Sequence, residues 1–312
     1  MAQQPMTINP PDLPLLIDVA KASPFHGSLL TLGRQEVMIT NRILQKVAKT
    51  LSFELADAGT AAGDDGGHTR EAMLSDQELF RSLGFSEVHS MDYSDYENAT
   101  ILHDLNRADP PEELLERFDV VLDRGTSQHV FHTPNLLSSL VRMTKFGGRI
   151  IHFSPSSNHI DLGFYMYSPT LFYDYYTANG LEINRIYLLR QPWLVRHPRT
   201  DVFAYTPGCL QAIAHGGLDD GGYQIFCVVT RKPDSTFDRT PQQSFYVAKW
   251  RQAEAGDVGT PPTEGRLLEG LKSVIRRNRL LYRLVTSIVN PIKKRRLRRR
   301  SLRRIARYSI GT

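Results

Sequence analysis

Apolar residues at Ile43, Leu44, Val47, Leu51 and Leu55 recur every three or four positions, which predicts an amphipathic helix over 41–56. Ser75 with Glu78 three residues on reads as a capping box opening a second helix, closed at Leu83-Gly84. Short apolar runs then replace the helical period. They predict a buried strand over 27–33 ending at a glycine, and further strands over 87–92, 99–104, 118–123 and 149–154, with two more over 182–189 and 223–231. Between them lie a short acidic helix at 111–117, a helix over 133–144, the Gly147-Gly148 turn, and a helix over 169–179 closed by Gly180. Residues 57–69 read as a surface loop, and Leu13–Val19 as a short helix in a Pro-rich segment. Strands alternating with helices predict an α/β layer fold with a mainly parallel sheet.

The apolar share of 41% supports a sizeable core. No run of about 18 apolar residues is present, so no ordinary transmembrane helix is expected. The first residues lack a basic segment followed by an apolar one, so no secretory signal is expected either. The two cysteines, Cys209 and Cys227, build no disulfide framework, and no Cys/His spacing suits a metal. The expectation is a cytoplasmic protein. Its charge is unevenly placed: residues 271–312 hold 15 Lys and Arg and no Asp or Glu, leaving 23 basic against 33 acidic groups in 1–270. Attraction to polyanions therefore belongs to the tail. The domains expected are an N-terminal extension (1–26), a sheet domain (27–231), a linker (232–264) and a basic helical tail (265–312).

In an open parallel sheet, ligands bind beyond the carboxyl ends of the strands. Those ends read Gly33-Arg34-Gln35, Asp92-Tyr93, Asp104-Leu105, Asp123-Arg124-Gly125 and Ser154-Pro155, so three successive strands end in aspartate. A carboxylate there can accept hydrogen bonds from ribose hydroxyls or an amine, and a glycine lets backbone approach a ligand closely. Asp also caps helices, and Asp92 has that bland reading too.

The stretch 118–134, FDVVLDRGTSQHVFHTP, followed by MTKFGGRII at 143–151, resembles the FDLV…EHV-D-P…LKPGGR region of class I S-adenosylmethionine-dependent methyltransferases. Residues 163–172, GFYMYSPTLF, are similar to the GFYQFSPELF stretch of a bacterial subgroup. The resemblance covers about 27–190. It implies a seven-stranded Rossmann-like sheet, mostly parallel with the last strand antiparallel, and S-adenosylmethionine as cofactor. By position it places Gly33, Arg34 and Gln35 at the methionine moiety and Asp92 at the ribose. Asp104 and Leu105 fall at the adenine, and Asp123 and Gly125 beneath the sulfonium. His129 would be the base. The family's first loop usually reads E/D-x-G-x-G-x-G, whereas this chain has Leu32-Gly-Arg-Gln-Glu-Val, and Gln128 replaces the EHV glutamate. Either the site is rebuilt, with Arg34 or Gln35 holding the carboxylate and ammonium, or the fold has lost its cofactor.

Methyl transfer to a hydroxyl or amine needs a base, and His129, His132, His152 and His159 fall near the ligand edge of the sheet. For each one, packing or turn-capping is the competing reading. Among the dense aromatics at 164–176, Tyr165 and Tyr167 precede the helix and are substrate-binding candidates with His159, whereas Phe172 and Tyr176 fit a helix stripe on the sheet. In the tail, Leu267, Leu271, Val274, Leu281, Val285 and Ile288 share a helical face among arginines, and Pro291 is expected to break the helix before a second basic segment. That pattern suits the anionic inner face of a membrane, with RNA as the rival partner. The function expected is methyl transfer to a small-molecule, glycan or lipid-linked acceptor. The alternatives are a non-catalytic scaffold of the same fold and an RNA methyltransferase guided by the tail.

Overall fold

The computed structural model describes residues 7–56, 72–192, 199–254 and 279–309. The loop expected at 57–69 and the tail's apolar positions 267, 271 and 274 lie outside the described residues. The chain divides into two units, one of residues 1–205, 220–241 and 304–312, the other of 206–219 and 242–303.

The first unit is built on a central sheet. Its strands are β2 (Ser28–Leu32), β4 (Glu87–Asp92), β5 (Ile101–Leu102), β6 (Phe118–Arg124), β7 (Thr144–Pro155), β8 (Glu182–Gln191), β9 (Arg199–Ala204), β10 (Gly222–Thr230) and β11 (Arg304–Ser309). They lie in the order β11-β9-β8-β10-β7-β6-β2-β4-β5. Strands β5, β4, β2, β6 and β7 pair in parallel, and β10 runs antiparallel between β7 and β8. Those seven are the strands expected from the sequence. Among the described residues the sheet nonetheless has nine, because β9 and β11 extend it beyond β8, each antiparallel to its neighbour. Central β2, with all five residues buried, is covered on both faces, as a continuous apolar run in a parallel sheet must be.

The described part of the N-terminal extension, residues 7–26, packs on the sheet. The short strand β1 (Thr7–Ile8) pairs with β3 (Glu36–Val37), and α1 (Leu13–Ala22) buries Leu13, Leu15, Leu16, Ile17, Val19 and Ala20. Those side chains join Leu29, Val120, Leu122, Ile151 and Phe153 of the sheet in one core, each full burial contributing about 1.5–3 kcal/mol. Buried Arg149 of β7 fixes the helix end, donating to Ser23 O at 2.8 Å while its guanidinium lies 4.9 Å from the Phe25 ring.

Helix α2 (Asn41–Thr50) starts on a Thr40 cap and ends before the expected residue 56, and α3 (Asp76–Ser82) carries the capping box of Ser75 and Glu78. Gly84 follows at φ +116°, where a Cβ would meet Phe25 O at 2.7 Å. Helices α4 (Thr133–Met143) and α5 (Pro169–Ala178) fall where the sequence places them. The acidic segment at 111–117 forms only a single turn of 3-10 helix, Glu112–Leu114.

In the second unit, α6 (Ser244–Glu254) occupies part of the expected linker. Helix α7 (Arg279–Ser301) continues through Pro291 rather than breaking there. It packs on a 3-10 turn at Gln211–Ile213, and Arg298 pairs with Asp219 at 3.2 Å. Among its described residues the basic tail is helix over Arg279–Ser301 and strand from Arg304, where Arg304 and Arg307 both pair with buried Asp201 of β9.

Candidate active site

At the end of β2 the chain does not turn directly into a helix. Gly33 adopts φ +71°, β3 pairs with β1, and α2 begins only at Asn41. Side chains do what glycine backbone does elsewhere. Gln35 Nε2 donates to Leu32 O at 3.0 Å, Thr126 Oγ1 donates to the same oxygen at 2.7 Å, and Thr31 Oγ1 donates to Gly33 O at 2.9 Å. Gln35 is buried, and its Oε1 has no partner among the described residues. Arg34 is turned elsewhere: its Nε lies 3.0 Å from buried Asp76 and its Nη1 donates to Asn98 O at 3.4 Å. Of the two residues weighed for the methionine carboxylate and ammonium, Gln35 faces the strand end and Arg34 is held by α3.

Asp92 and Asp104 stand at the ends of adjacent strands, tied by His103 N donating to Asp92 O at 2.9 Å. Asp92 Oδ1 accepts from Tyr93 N at 2.6 Å, and Asp104 Oδ1 accepts from Asn106 N at 2.9 Å and Asn106 Nδ2 at 2.8 Å. Among the described residues, these hydrogen bonds engage only one oxygen of each carboxylate. The Asn106 hydrogen bonds, from backbone first and then side chain, hold the Asp104 carboxyl below its ordinary value. His103, between them, is buried with no partner for Nε2 among the described residues, and desolvation lowers its pKa. His103 is not among the residues that the sequence pattern singles out, although a histidine closing an apolar strand just before Asp104 was the available signal. Leu105 is buried beside it.

Asp123 does not line this edge. It is fully buried, and its Oδ2 lies 2.7 Å from His152 Nδ1, whose Nε2 lies 2.6 Å from Tyr176 Oη. Asp123 Oδ1 accepts from Ser127 N at 3.0 Å and Thr126 N at 3.3 Å. Burial opposes its ionisation, but the His152 and Ser127 hydrogen bonds outweigh that and leave its pKa lowered. Tyr176, also fully buried, is pushed well above the ordinary phenol value by desolvation. The hydrogen bonds fit His152 Nδ1–H donating to Asp123 and the Tyr176 hydroxyl donating to Nε2. The group joins β6, β7 and α5, and positions them rather than meeting a substrate.

Beyond β6, Gly125 takes φ +86°. Gln128 Nε2 donates to Gly125 O at 2.7 Å and its buried Oε1 has no partner among the described residues. Gln128 O accepts from Phe164 N at 2.8 Å and Tyr165 N at 3.3 Å, so it ties the aromatic loop to the end of β6. His129 is exposed next to it, with a pKa lowered by partial desolvation despite the Asp123 charge. His159 is half-buried and lowered by desolvation and by Arg124. Arg124 pairs with buried Asp12 at 3.0 Å, carrying the N-terminal segment onto this edge. Tyr165 and Tyr167 line a cavity between α4 and α5.

Three buried polar atoms without partners among the described residues (Gln35 Oε1, His103 Nε2 and Gln128 Oε1) and the carboxylates of Asp92 and Asp104 thus follow the carboxyl ends of β2, β4, β5 and β6. The seven-strand order, with its last strand reversed, carries them. That strand order is the Rossmann-like one that the resemblance in the sequence implies. No protein-family profile and no curated protein sequence matches the chain. Among solved structures, it is similar to TehB from Haemophilus influenzae at 12% identity, covering 70% of this chain and 62% of TehB, with a TM-score of 0.34. The chain thus spans about three fifths of the length of that relative. A second similar structure bears the description "Conversion of a Disulfide Bond into a Thioacetal Group during Echinomycin Biosynthesis", at 14% identity, 78% and 87% coverage and a TM-score of 0.33. A third is a Bacillus halodurans protein provisionally assigned as a methyltransferase, at 12% identity, 71% and 99% coverage and a TM-score of 0.29.

Proposed function

We propose that the chain binds S-adenosylmethionine at the carboxyl edge of the sheet and transfers its methyl group to a small-molecule or lipid-linked acceptor. The observation that carries the reading is the pair Asp92 and Asp104, on adjacent strand ends, each with only one carboxylate oxygen engaged among the described residues. Asp92 suits a ribose diol and Asp104 an exocyclic amine, while Gln35 Oε1, a buried acceptor without a partner, suits an ammonium group. The donor and acceptor types suit the cofactor without the glycine cradle: Leu32 O and Gly33 O are taken by Gln35, Thr126 and Thr31, and Gln35 Oε1 would serve as acceptor in their place.

When bound, the cofactor supplies an electrophilic methyl that needs no further activation. The protein's share is alignment, exclusion of water and removal of the acceptor's proton. His129 suits the proton removal, because its lowered pKa keeps the imidazole neutral at pH 7 and able to accept a proton. Calorimetric titration with S-adenosylmethionine and S-adenosylhomocysteine tests the reading. Saturable binding weakened at least about tenfold by Asp92→Ala is expected, since a charge-assisted hydrogen bond contributes about 1.5–3 kcal/mol. A folded protein that binds neither compound would leave the non-catalytic scaffold as the reading.

For the tail we propose an anionic membrane surface. Lys293, Lys294, Arg295, Arg296, Arg299 and Arg300 of α7 are exposed, and Ile292 stands 58% exposed beside them. An apolar side chain among cations suits a headgroup boundary better than a phosphate backbone. No helix among the described residues is long and apolar enough to cross a membrane. Co-sedimentation with phosphatidylglycerol vesicles, absent with phosphatidylcholine and lost in high salt, is expected. A salt-sensitive RNA complex without vesicle binding would replace this reading with the RNA one.

A further inference from the structure

The cavity between α4 and α5 has a volume of about 800 Å³, within the range that takes up a drug-sized molecule. Three tyrosines form its walls, and all three hydroxyls are turned into the protein. Tyr165 Oη donates to Phe131 O at 2.8 Å, Tyr167 Oη to Ser127 O at 2.8 Å and Tyr175 Oη to Phe237 O at 2.7 Å. What remains for the cavity is ring carbon. Burial raises the Tyr167 phenol to about 12 and the Tyr175 phenol further, so both stay neutral. Two of the polar side chains beside them are also engaged with the protein. Asn135 Nδ2 donates to Asn106 O at 2.7 Å, and Ser168 Oγ accepts from Thr170 N at 3.3 Å. At the rim, Arg142 pairs with Asp109 at 2.6 Å and Asp238 stands next to Arg239. Cations and anions there balance, so the rim selects for neither charge.

We infer that this cavity is a binding site for a small, neutral, ring-bearing apolar molecule, held by contact with aromatic faces rather than by hydrogen bonds to the phenols. The chemistry argues against a sugar. A glycan needs donors and acceptors along its ring, and burying its hydroxyls against tyrosine faces whose own hydroxyls are engaged leaves most of them unmatched. An aromatic ring loses little water on entry and gains stacking or edge contacts with each tyrosine. Binding here does not depend on the cofactor reading. The further step, that the occupant's ring system belongs to the methyl acceptor, rests on that reading; Gln128 O holds Tyr165 beside His129.

The test is fluorescence titration of the full chain with N-phenyl-1-naphthylamine, a neutral aromatic probe, carried out without cofactor. Saturable one-to-one binding is expected. Ser138→Trp, which projects an indole from α4 into the space, should weaken it about tenfold or more, the scale of a lost ring-sized contact surface. Met166→Trp closes the same space from an exposed loop position, so folding is spared if α4 does not tolerate the first change. Tyr165→Phe, which removes only an inward-turned hydroxyl, should leave affinity within about twofold. Methyl glucoside should not compete. Probe binding indifferent to both tryptophans, competition by the glucoside, or no saturable binding overturns the inference. A failure to bind S-adenosylmethionine with probe binding intact would remove only the acceptor role.

Discussion

His152 connects two groups that water never reaches, the Asp123 carboxylate and the Tyr176 phenol. Tyr176→Phe removes the hydroxyl and leaves Nε2 buried without a partner, so a loss of about 1–3 kcal/mol in denaturant unfolding is expected. His152→Leu strands Asp123 and should cost about 3–5 kcal/mol; equal stability of both variants with the parent would show that the three groups do not act as a unit. At the cofactor edge, Gln35→Leu keeps the volume but loses both the caps on Leu32 and Gly33 and the spare acceptor. S-adenosylmethionine affinity should fall about tenfold, whereas Arg34→Ala, which touches Asp76 and Asn98, should leave it nearly unchanged. Asp92 and Asp104 stand out in the sequence because each follows an apolar run at a strand end, and the structure places both at adjacent strand ends. Asp123 closes a similar run, yet β6 is buried along nearly its whole length and alternation alone does not tell which of its polar residues turns inward. The phenol hydroxyls of Tyr165 and Tyr167 were likewise invisible, since their carbonyl partners lie 34 and 40 residues away.

Among the elements, helices with local caps and strands with apolar runs were readable, because their signals lie within a few residues of one another. Strands β9 and β11 were not. Their stretches, Arg199–Ala204 and Arg304–Ser309, carry an aspartate and arginines where a strand usually shows apolar alternation. The charges make sense only once paired: buried Asp201 lies 3.5 Å from Arg190 Nη1 and 3.7 Å from Arg304 Nη1, and accepts from Arg307 Nε. Asp201→Ala removes the common anion and leaves mutually repelling guanidinium groups at the edge of the sheet. Faster tryptic cleavage near Arg303 and Arg304 is expected, with the rest of the sheet still protected. Cleavage at the parent rate would mean that β11 is held by its backbone ladder alone. Helix α1 resembles an isolated short segment in sequence for a similar reason: its near-uniform apolarity marks burial, but not what it is buried against.

For the whole molecule, acid is the informative perturbation. His103, His129 and His159 all have pKa values lowered chiefly by desolvation. The unfolded chain therefore takes up protons near pH 6.5, before the folded protein does, so stability rises with pH up to about 6.5 and levels off above it. Asp104 and Asp123, lowered by their hydrogen bonds, stabilise the fold above the ordinary carboxylate value, and that contribution disappears only as pH falls through their folded values below 3.8. Melting temperatures recorded from about pH 5 to about pH 8 should show the histidine window, and replacing the three imidazoles with glutamine should flatten it. The pairing of β11 with β9 has a consequence for how the molecule is made as well as for how it is held. Strand β9 lies about a hundred residues before its partner, and closing so long a loop is slow compared with forming the local pairings on the rest of the sheet. During that interval the open edge does not distinguish its own returning strand from the same strand of a neighbour. Refolding at high concentration should therefore yield reciprocally exchanged dimers, and refolding at high dilution monomers, from the same sequence and the same contacts.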